Sequence, residues 1–185
     1  TENNWLGKGI GVSTNIDVGA ETFTGGITVN NPNYNYSGNS LNYHVRTTKN
    51  DKPDSGFKND IFSTGIGTSF EQYNKVYIAP SISLSHDNLK VEASASDSLK
   101  KQKGTFTDFN FNYGLTLDKR NRVYATTEGY STSFNQTLPI YADSPYIKNS
   151  FQFSKYKAFS ENYIGKFKFY TAAINGLNDK DIRIS

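Results

Sequence analysis

Phe109-Asn110-Phe111-Asn112-Tyr113-Gly114-Leu115-Thr116-Leu117-Asp118 places an apolar or aromatic residue at each odd position and a small or polar one at each even position. Successive side chains of a β-strand point to opposite faces, so a period of two describes a strand with one apolar face. The same alternation runs through Ile10, Val12, Thr14, Ile16, Val18 and Ala20, then Phe23, Gly25, Ile27 and Val29. It continues through Leu41 to Thr47, Phe62 to Phe70, and Val76, Ile78, Pro80, Ile82 and Leu84. Beyond the opening stretch it reappears at Tyr130, Thr132, Phe134, Gln136, Leu138 and Ile140, at Phe151 and Phe153, and at Gly165, Phe167, Phe169, Thr171 and Ala173. The pattern predicts about nine strands and no helix. Turn-forming stretches separate them, among them Asn31-Pro32-Asn33, Tyr36-Ser37-Gly38-Asn39 and Ala142-Asp143-Ser144-Pro145.

Strand length distinguishes architectures. Soluble strands usually run about five or six residues. These run nearer to about eleven, which at about 3.3 Å each and a tilt near 45° rises roughly 25 Å, the height of the apolar band on an outer-membrane barrel. Alternation alone fits a soluble sandwich equally well, because Lys166 and Lys168 between Phe167 and Phe169 suit a wetted face or a lumen. Lys155 and Lys157 share parity with Phe151 and Phe153, which calls for a bulge or a rim position where the ammonium reaches water.

Composition excludes several function classes. Of 185 residues, 35% are hydrophobic and 15% aromatic, a mixture that suits strands better than helices. Cys is absent, which excludes disulfides, thiolate metal sites and a Cys nucleophile. The net charge of +3 demands no nucleic-acid partner. The longest apolar stretch, Phe169 to Ile174, is far shorter than the roughly 20 residues of a spanning helix, a limit that does not apply to barrel strands. Thr1 opens the chain and Met is absent, as expected of an internal piece of a longer protein.

Three segments carry a family resemblance. The first is Glu2-Asn3-Asn4-Trp5-Leu6-Gly7-Lys8-Gly9, the second Ile27-Thr28-Val29-Asn30-Asn31-Pro32-Asn33-Tyr34. The third is Asn112-Tyr113-Gly114-Leu115-Thr116-Leu117-Asp118-Lys119-Arg120-Asn121 followed by Gly129. Together they resemble the barrel of the BamA-type outer-membrane protein assembly factors: an Asn-x-Leu-Gly-x-Gly turn, an Asn-Pro-aromatic strand end, and an Asp-x-Arg-Asp…Pro-Thr-x-Gly turn. Asn121 stands where the family usually has Asp, and Thr126 where it has Pro.

The resemblance implies an all-β fold: a segment of an antiparallel transmembrane barrel, matching the third to eleventh of the family's sixteen strands, as a single domain over residues 1–185. Trp5, Leu6, Gly7, Gly9, Asn31, Pro32, Asp118, Arg120 and Gly129 would then mark periplasmic turns. Residues 48–56 and 87–104 would be extracellular loops, 72–74 and 160–162 short periplasmic turns, and 175–185 the start of a long extracellular loop. Short turns below and longer loops above are the expected asymmetry. The implied function is barrel wall of a factor that folds and inserts β-barrel proteins without ATP. The implied partners are outer-membrane lipids, lipopolysaccharide and nascent β-barrel proteins, with assembly lipoproteins docking on periplasmic POTRA repeats that this chain lacks. A passive channel, a two-partner secretion transporter and a soluble sandwich adhesin are the competing readings.

The resemblance names no catalytic residue and no cofactor. His44 and His86 stand far apart, and no His, Cys and Asp cluster has metal-ligand spacing. Gly7-Lys8-Gly9-Ile10-Gly11 lacks phosphate-loop spacing. Asp118 and Arg120, of opposite charge, suit a charge-assisted bond that holds a turn better than a reactive pair. Lys100, Lys101 and Lys103 suit a solvated loop, with lipopolysaccharide phosphates as the alternative contact. Trp5, Tyr34, Tyr36, Tyr73 and Tyr163 stand near strand ends, positions that suit an interfacial aromatic girdle or packing within turns.

Overall fold

The computed structural model describes residues 1–161 and 163–177. Ten strands form one antiparallel meander in which each strand pairs with the next. In order they are β1 (Glu2–Trp5), β2 (Ile10–Val18), β3 (Thr22–Asn31), β4 (Ser40–Lys52), β5 (Phe57–Tyr73), β6 (Val76–Val91), β7 (Gly104–Asp118), β8 (Gly129–Ala142), β9 (Tyr146–Ser160) and β10 (Tyr163–Gly176). The sheet is not closed: β1 and β10 are its two edges among the described residues.

The register sorts the side chains into two faces. Ile27 lies opposite Val45, Val45 opposite Thr64, Thr64 opposite Leu84 and Leu84 opposite Phe109. On the other face the row runs Asn15, Gly26, Arg46, Ser63, Ser85 and Asp108. The apolar sets of β2 to β10 thus fall on one continuous face, and the Asn, Ser, Thr and Gly positions on the other. Burial is the reverse of a soluble domain. The apolar face is open, with Ile16 71%, Ile82 41% and Phe167 61% exposed. The polar face is the enclosed one, where Asp87, Asn110 and Ser154 are all buried.

Several expectations need correction. Among the described residues the nine long strands expected are β2 to β10, and Glu2–Trp5 adds a short tenth that pairs with β2 ahead of its turn. Against the expectation of no helix, the described residues include a 3-10 turn at Pro53–Ser55 and one α-helix, α1 (Asp97–Lys101), with the Ser96 hydroxyl accepting from the Leu99 amide. Residues 48–52 and 87–91, expected in loops, continue β4 and β6. Residues 48–52 carry hydroxyl, charged and amide side chains, as where Lys58 of β5 bonds Asp51 at 2.7 Å. In 87–91 the apolar positions switch from even, at Ile82 and Leu84, to odd, at Leu89 and Val91, so one apolar alternation could not reveal either segment. The turn expected at 72–74 falls at Asn74 and Lys75, since β5 runs on to Tyr73. Of the turn expected at 160–162, Ser160 ends β9 and Asn162 lies outside the described residues. In the loop expected at 175–185, Asn175 and Gly176 still belong to β10, and 178–185 lie outside the described residues.

Ile140 is the extra residue of a bulge: Pro139 lies opposite Asn110 and Tyr141 opposite Phe109. No bulge rescues Lys155 and Lys157. They lie opposite Phe167 and Gly165 in unbroken register, so they remain on the apolar face, near its rim.

Connections alternate between two ends. One end carries 6–9, 32–39, 74–75 and 119–128; the other carries 19–21, 53–56, 92–103 and 143–145. Loop length does not separate the two ends, contrary to expectation, because 32–39 and 119–128 are long turns on the side where short ones were expected. The 92–103 connection instead packs its start against the neighbouring 53–56 turn, where a Cβ on Gly56 would meet Ser94 and Ala95. The Glu92 amide donates to the Gly56 carbonyl at 2.8 Å, and Ala95 and Leu89 are buried there.

Candidate functional site

All the motif residues singled out in the sequence gather at one end of the sheet, where 6–9, 32–39 and 119–128 turn. In the first turn Leu6, Gly7 and Gly9 all have positive φ, at 55°, 71° and 68°. The Asn4 side chain accepts from the Gly9 amide at 2.7 Å, and the Asn4 carbonyl from the Gly7 amide at 3.0 Å. Two glycines let the chain take this left-handed path without a Cβ penalty. Trp5 closes β1 opposite Ile10. In the second turn Asn31 ends β3 and its side chain accepts from the Asn33 amide at 3.2 Å. Pro32 stands just past the strand, where no ladder amide is needed. Asn33 then accepts from the Gly38 amide at 2.7 Å.

The third turn is the most ordered. Asp118 ends β7 and accepts twice from one guanidinium: Arg120 Nε to Oδ1 at 2.8 Å and Nη2 to Oδ2 at 2.6 Å. The Arg120 amide adds a third bond to Oδ1 at 3.1 Å. Hydrogen bonding to Asp118 raises the Arg120 pKa above its ordinary value, and Tyr156 contributes in the same direction. Asn121 uses both ends of its amide. Its oxygen accepts from the Thr127 and Glu128 amides at 3.3 Å each, and its nitrogen donates to the Thr127 hydroxyl at 2.6 Å. An Asp would keep the first pair and reverse the last bond, its second oxygen accepting from the Thr127 hydroxyl. Thr126 donates its hydroxyl to the Arg122 carbonyl at 2.7 Å. Gly129 opens β8 at φ 99°, and a Cβ there would run into the Lys119 carbonyl oxygen and stand 2.8 Å from Arg120 Cα.

Beside this turn the polar face forms a hollow of about 260 Å³, lined by Asp118, Arg120, Ser154, Tyr156, Lys166 and Lys168 among others. Lys166 stands over the Tyr156 ring at 5.5 Å. Sequence reasoning missed this gathering. The alternation of Lys166 and Lys168 with Phe167 and Phe169 did give their face, but no local spacing links them to Arg120.

The remaining candidates are dispersed. His44 lies on the polar face, whereas His86 lies on the apolar one, its Nδ1 3.0 Å from the Thr107 hydroxyl. Among the described residues no group of His, Asp and Glu could hold a metal. Lys100 reaches Asp97 at 3.7 Å within α1, and Lys101 and Lys103 flank its end. Trp5, Tyr34, Tyr36, Tyr73 and Tyr163 are all exposed at the motif end.

A solved structure described as BamA from Haemophilus ducreyi lacking POTRA domains 1–3 superposes with a TM-score of 0.78 at 18% identity. The match covers 97% of this chain and 38% of that one, so the chain spans well under half of its structural neighbour. At that identity the likeness concerns the fold: the meander of long strands is a stretch of barrel wall. No curated protein matches the chain. The Omp85 superfamily domain matches residues 4–185, nearly the whole sequence including all three turns. A meander with its apolar face outward, its motif turns at one end and that family's pattern along its length has one consistent assignment: the chain belongs to the Omp85 superfamily.

Proposed function

We propose that this chain is wall of an outer-membrane barrel that folds and inserts other β-barrel proteins without ATP. The observation that carries the membrane part is the inversion of burial. A soluble sandwich would hide the face that holds Ile16, Ile82 and Phe167, and here that face is open while Asn110 and Ser154 are enclosed. In a bilayer the apolar face meets lipid and the polar face lines the lumen. The motif end faces the periplasm, where Trp5, Tyr34, Tyr36, Tyr73 and Tyr163 form part of an aromatic girdle.

Family membership supports the insertase part. Nascent β-barrel proteins are the substrates, because a strand edge opened at a barrel seam can satisfy an incoming backbone that lipid cannot. This chain supplies the wall, its nine long strands β2 to β10 corresponding to the third to eleventh of sixteen, in place of the opening seam. Lipids and lipopolysaccharide surround it, and lipoprotein partners dock on POTRA repeats elsewhere in the longer protein.

The test uses the full-length protein in lipid vesicles with a urea-unfolded, eight-stranded outer-membrane barrel as substrate. Faster acquisition of heat-modifiable, protease-resistant substrate, with no nucleotide present, supports the reading. An unchanged insertion rate together with steady high conductance across planar bilayers would replace it with a passive channel.

A further inference from the structure

We propose that Lys155 and Lys157 form a site for the phosphorylated headgroup of an anionic diacyl lipid, on the lipid-facing side of the sheet near the motif end. The proposal rests on reading the apolar face as lipid-facing. Three observations point to it. The register from Phe151 opposite Thr171 to Lys157 opposite Gly165 is unbroken, so both ammonium groups stand on the same face as Phe151 and Phe153. Among the described residues neither lysine forms a salt bridge. And Lys157 lies over the Phe159 ring at 5.9 Å, which directs it along the strand toward the rim.

A lysine in mid-bilayer is costly, and the cost falls close to zero at the interface. These two residues therefore mark where headgroups begin. They stand two residues apart on one strand, about 6.6 Å, so both ammonium groups can reach one phosphate. Below them a tilted aromatic ladder offers contact for acyl chains: Phe153 with Phe167 at 6.4 Å, Phe151 with Phe169 at 6.3 Å and Tyr130 with Phe153 at 6.1 Å. Tyr130 sits directly opposite Lys155 on the same face. A paired cation, a polar tip and an apolar runway on one face fit a phosphate-bearing amphiphile.

The experiment reconstitutes the full-length protein in vesicles of phosphatidylglycerol and phosphatidylcholine in equal parts, and reads retained lipid by native mass spectrometry after mild extraction. Wild type is expected to retain phosphatidylglycerol preferentially. K155Q and K157Q should each lower that preference about fivefold, and K155R/K157R should keep it. K166Q/K168Q, on the opposite face, should leave it unchanged. Millimolar inorganic phosphate should not displace the lipid; displacement would overturn the lipid as ligand in favour of a free anion. Wild-type protein that inserts with no preference overturns the site alone, even if the glutamine variants do not fold. Failure of wild type to insert in any vesicle overturns the site and the lipid-facing reading together.

Discussion

His44 lies flat across Gly65 of the neighbouring strand: a Cβ built on Gly65 would stand 2.5 Å from the imidazole Cε1 and 2.9 Å from the Ile82 carbonyl oxygen. The two residues are direct cross-strand partners on the polar face. Asn15 covers Gly26 and Asn135 covers Gly114 in the same way, each with a carboxamide oxygen within 2.8 Å of the missing Cβ. Glycine at these positions makes room for a polar side chain to lie along the wall instead of projecting from it.

Two outcomes follow from what surrounds each glycine. At Gly65 the backbone oxygen of Ile82 blocks a methyl group whatever His44 does. Gly65→Ala should cost about 1–3 kcal/mol, and adding His44→Ala should recover little of it. At Gly114 the close atom belongs only to the Asn135 side chain, with Ala79 Cβ at an ordinary 3.7 Å. Gly114→Ala should therefore be rescued by Asn135→Ser. Urea unfolding of the full-length protein in detergent, followed by heat-modifiability on gels, reads both. Equal rescue at the two sites would refute the distinction between backbone and side-chain crowding.

The fork between Asp118 and Arg120 demands geometry as well as charge. Both side chains are about one-fifth exposed, so solvent screens part of the attraction. Arg120→Lys keeps the charge and loses the paired donors, and should still cost about 1–2 kcal/mol. Asp118→Asn should cost a similar amount, and the double variant no more than the larger single. Additive losses in that cycle would show that the two residues act separately.

Gly129 and Gly7 both have positive φ, yet they differ in surroundings. Nothing lies within 4 Å of a Cβ on Gly7, whereas one on Gly129 meets the backbone of Lys119 and Arg120. Gly7→Ala should cost about 1–2 kcal/mol from the left-handed conformation alone. Gly129→Ala carries the same conformational penalty plus displacement of the 119–128 turn, so its midpoint in urea should fall further. Equal midpoints would mean that the turn gives way freely.

How much of this was legible in the sequence depends on what carried the signal. Phe109 to Leu117 declared a strand and its faces because hydrophobicity alternated. Lys49 to Lys52 continue the same ladder with charge and amide groups in place of apolar residues, and in β6 the apolar positions switch from even, up to Leu84, to odd, at Leu89 and Val91, so the alternation broke at both places. The Ile140 bulge was hidden because one extra residue shifts parity without changing composition. The Ser96 cap on a five-residue helix was readable only as polarity in a loop. The Asp118, Arg120 and Gly129 turn was legible from its motif. Its neighbours Tyr156, Lys166 and Lys168 were not, since strand pairing alone brings them there.

The exposed apolar face gives the sharpest test of environment. Ile82 sits mid-strand on that face, 41% exposed, between Ile66 and Phe111. If water covered it, Ile82→Lys would be nearly neutral, because a partly exposed surface substitution seldom exceeds about 0.5 kcal/mol. If hydrocarbon covers it, the same change should cost about 2–4 kcal/mol. Ser83→Lys, one residue along on the polar face, separates this effect from a general intolerance of lysine in β6. It should cost well under the Ile82 variant when the full-length protein is unfolded from lipid vesicles. The reverse ranking, with Ser83→Lys the more damaging, would place the lipid on the other face and invert the assignment of lumen and membrane.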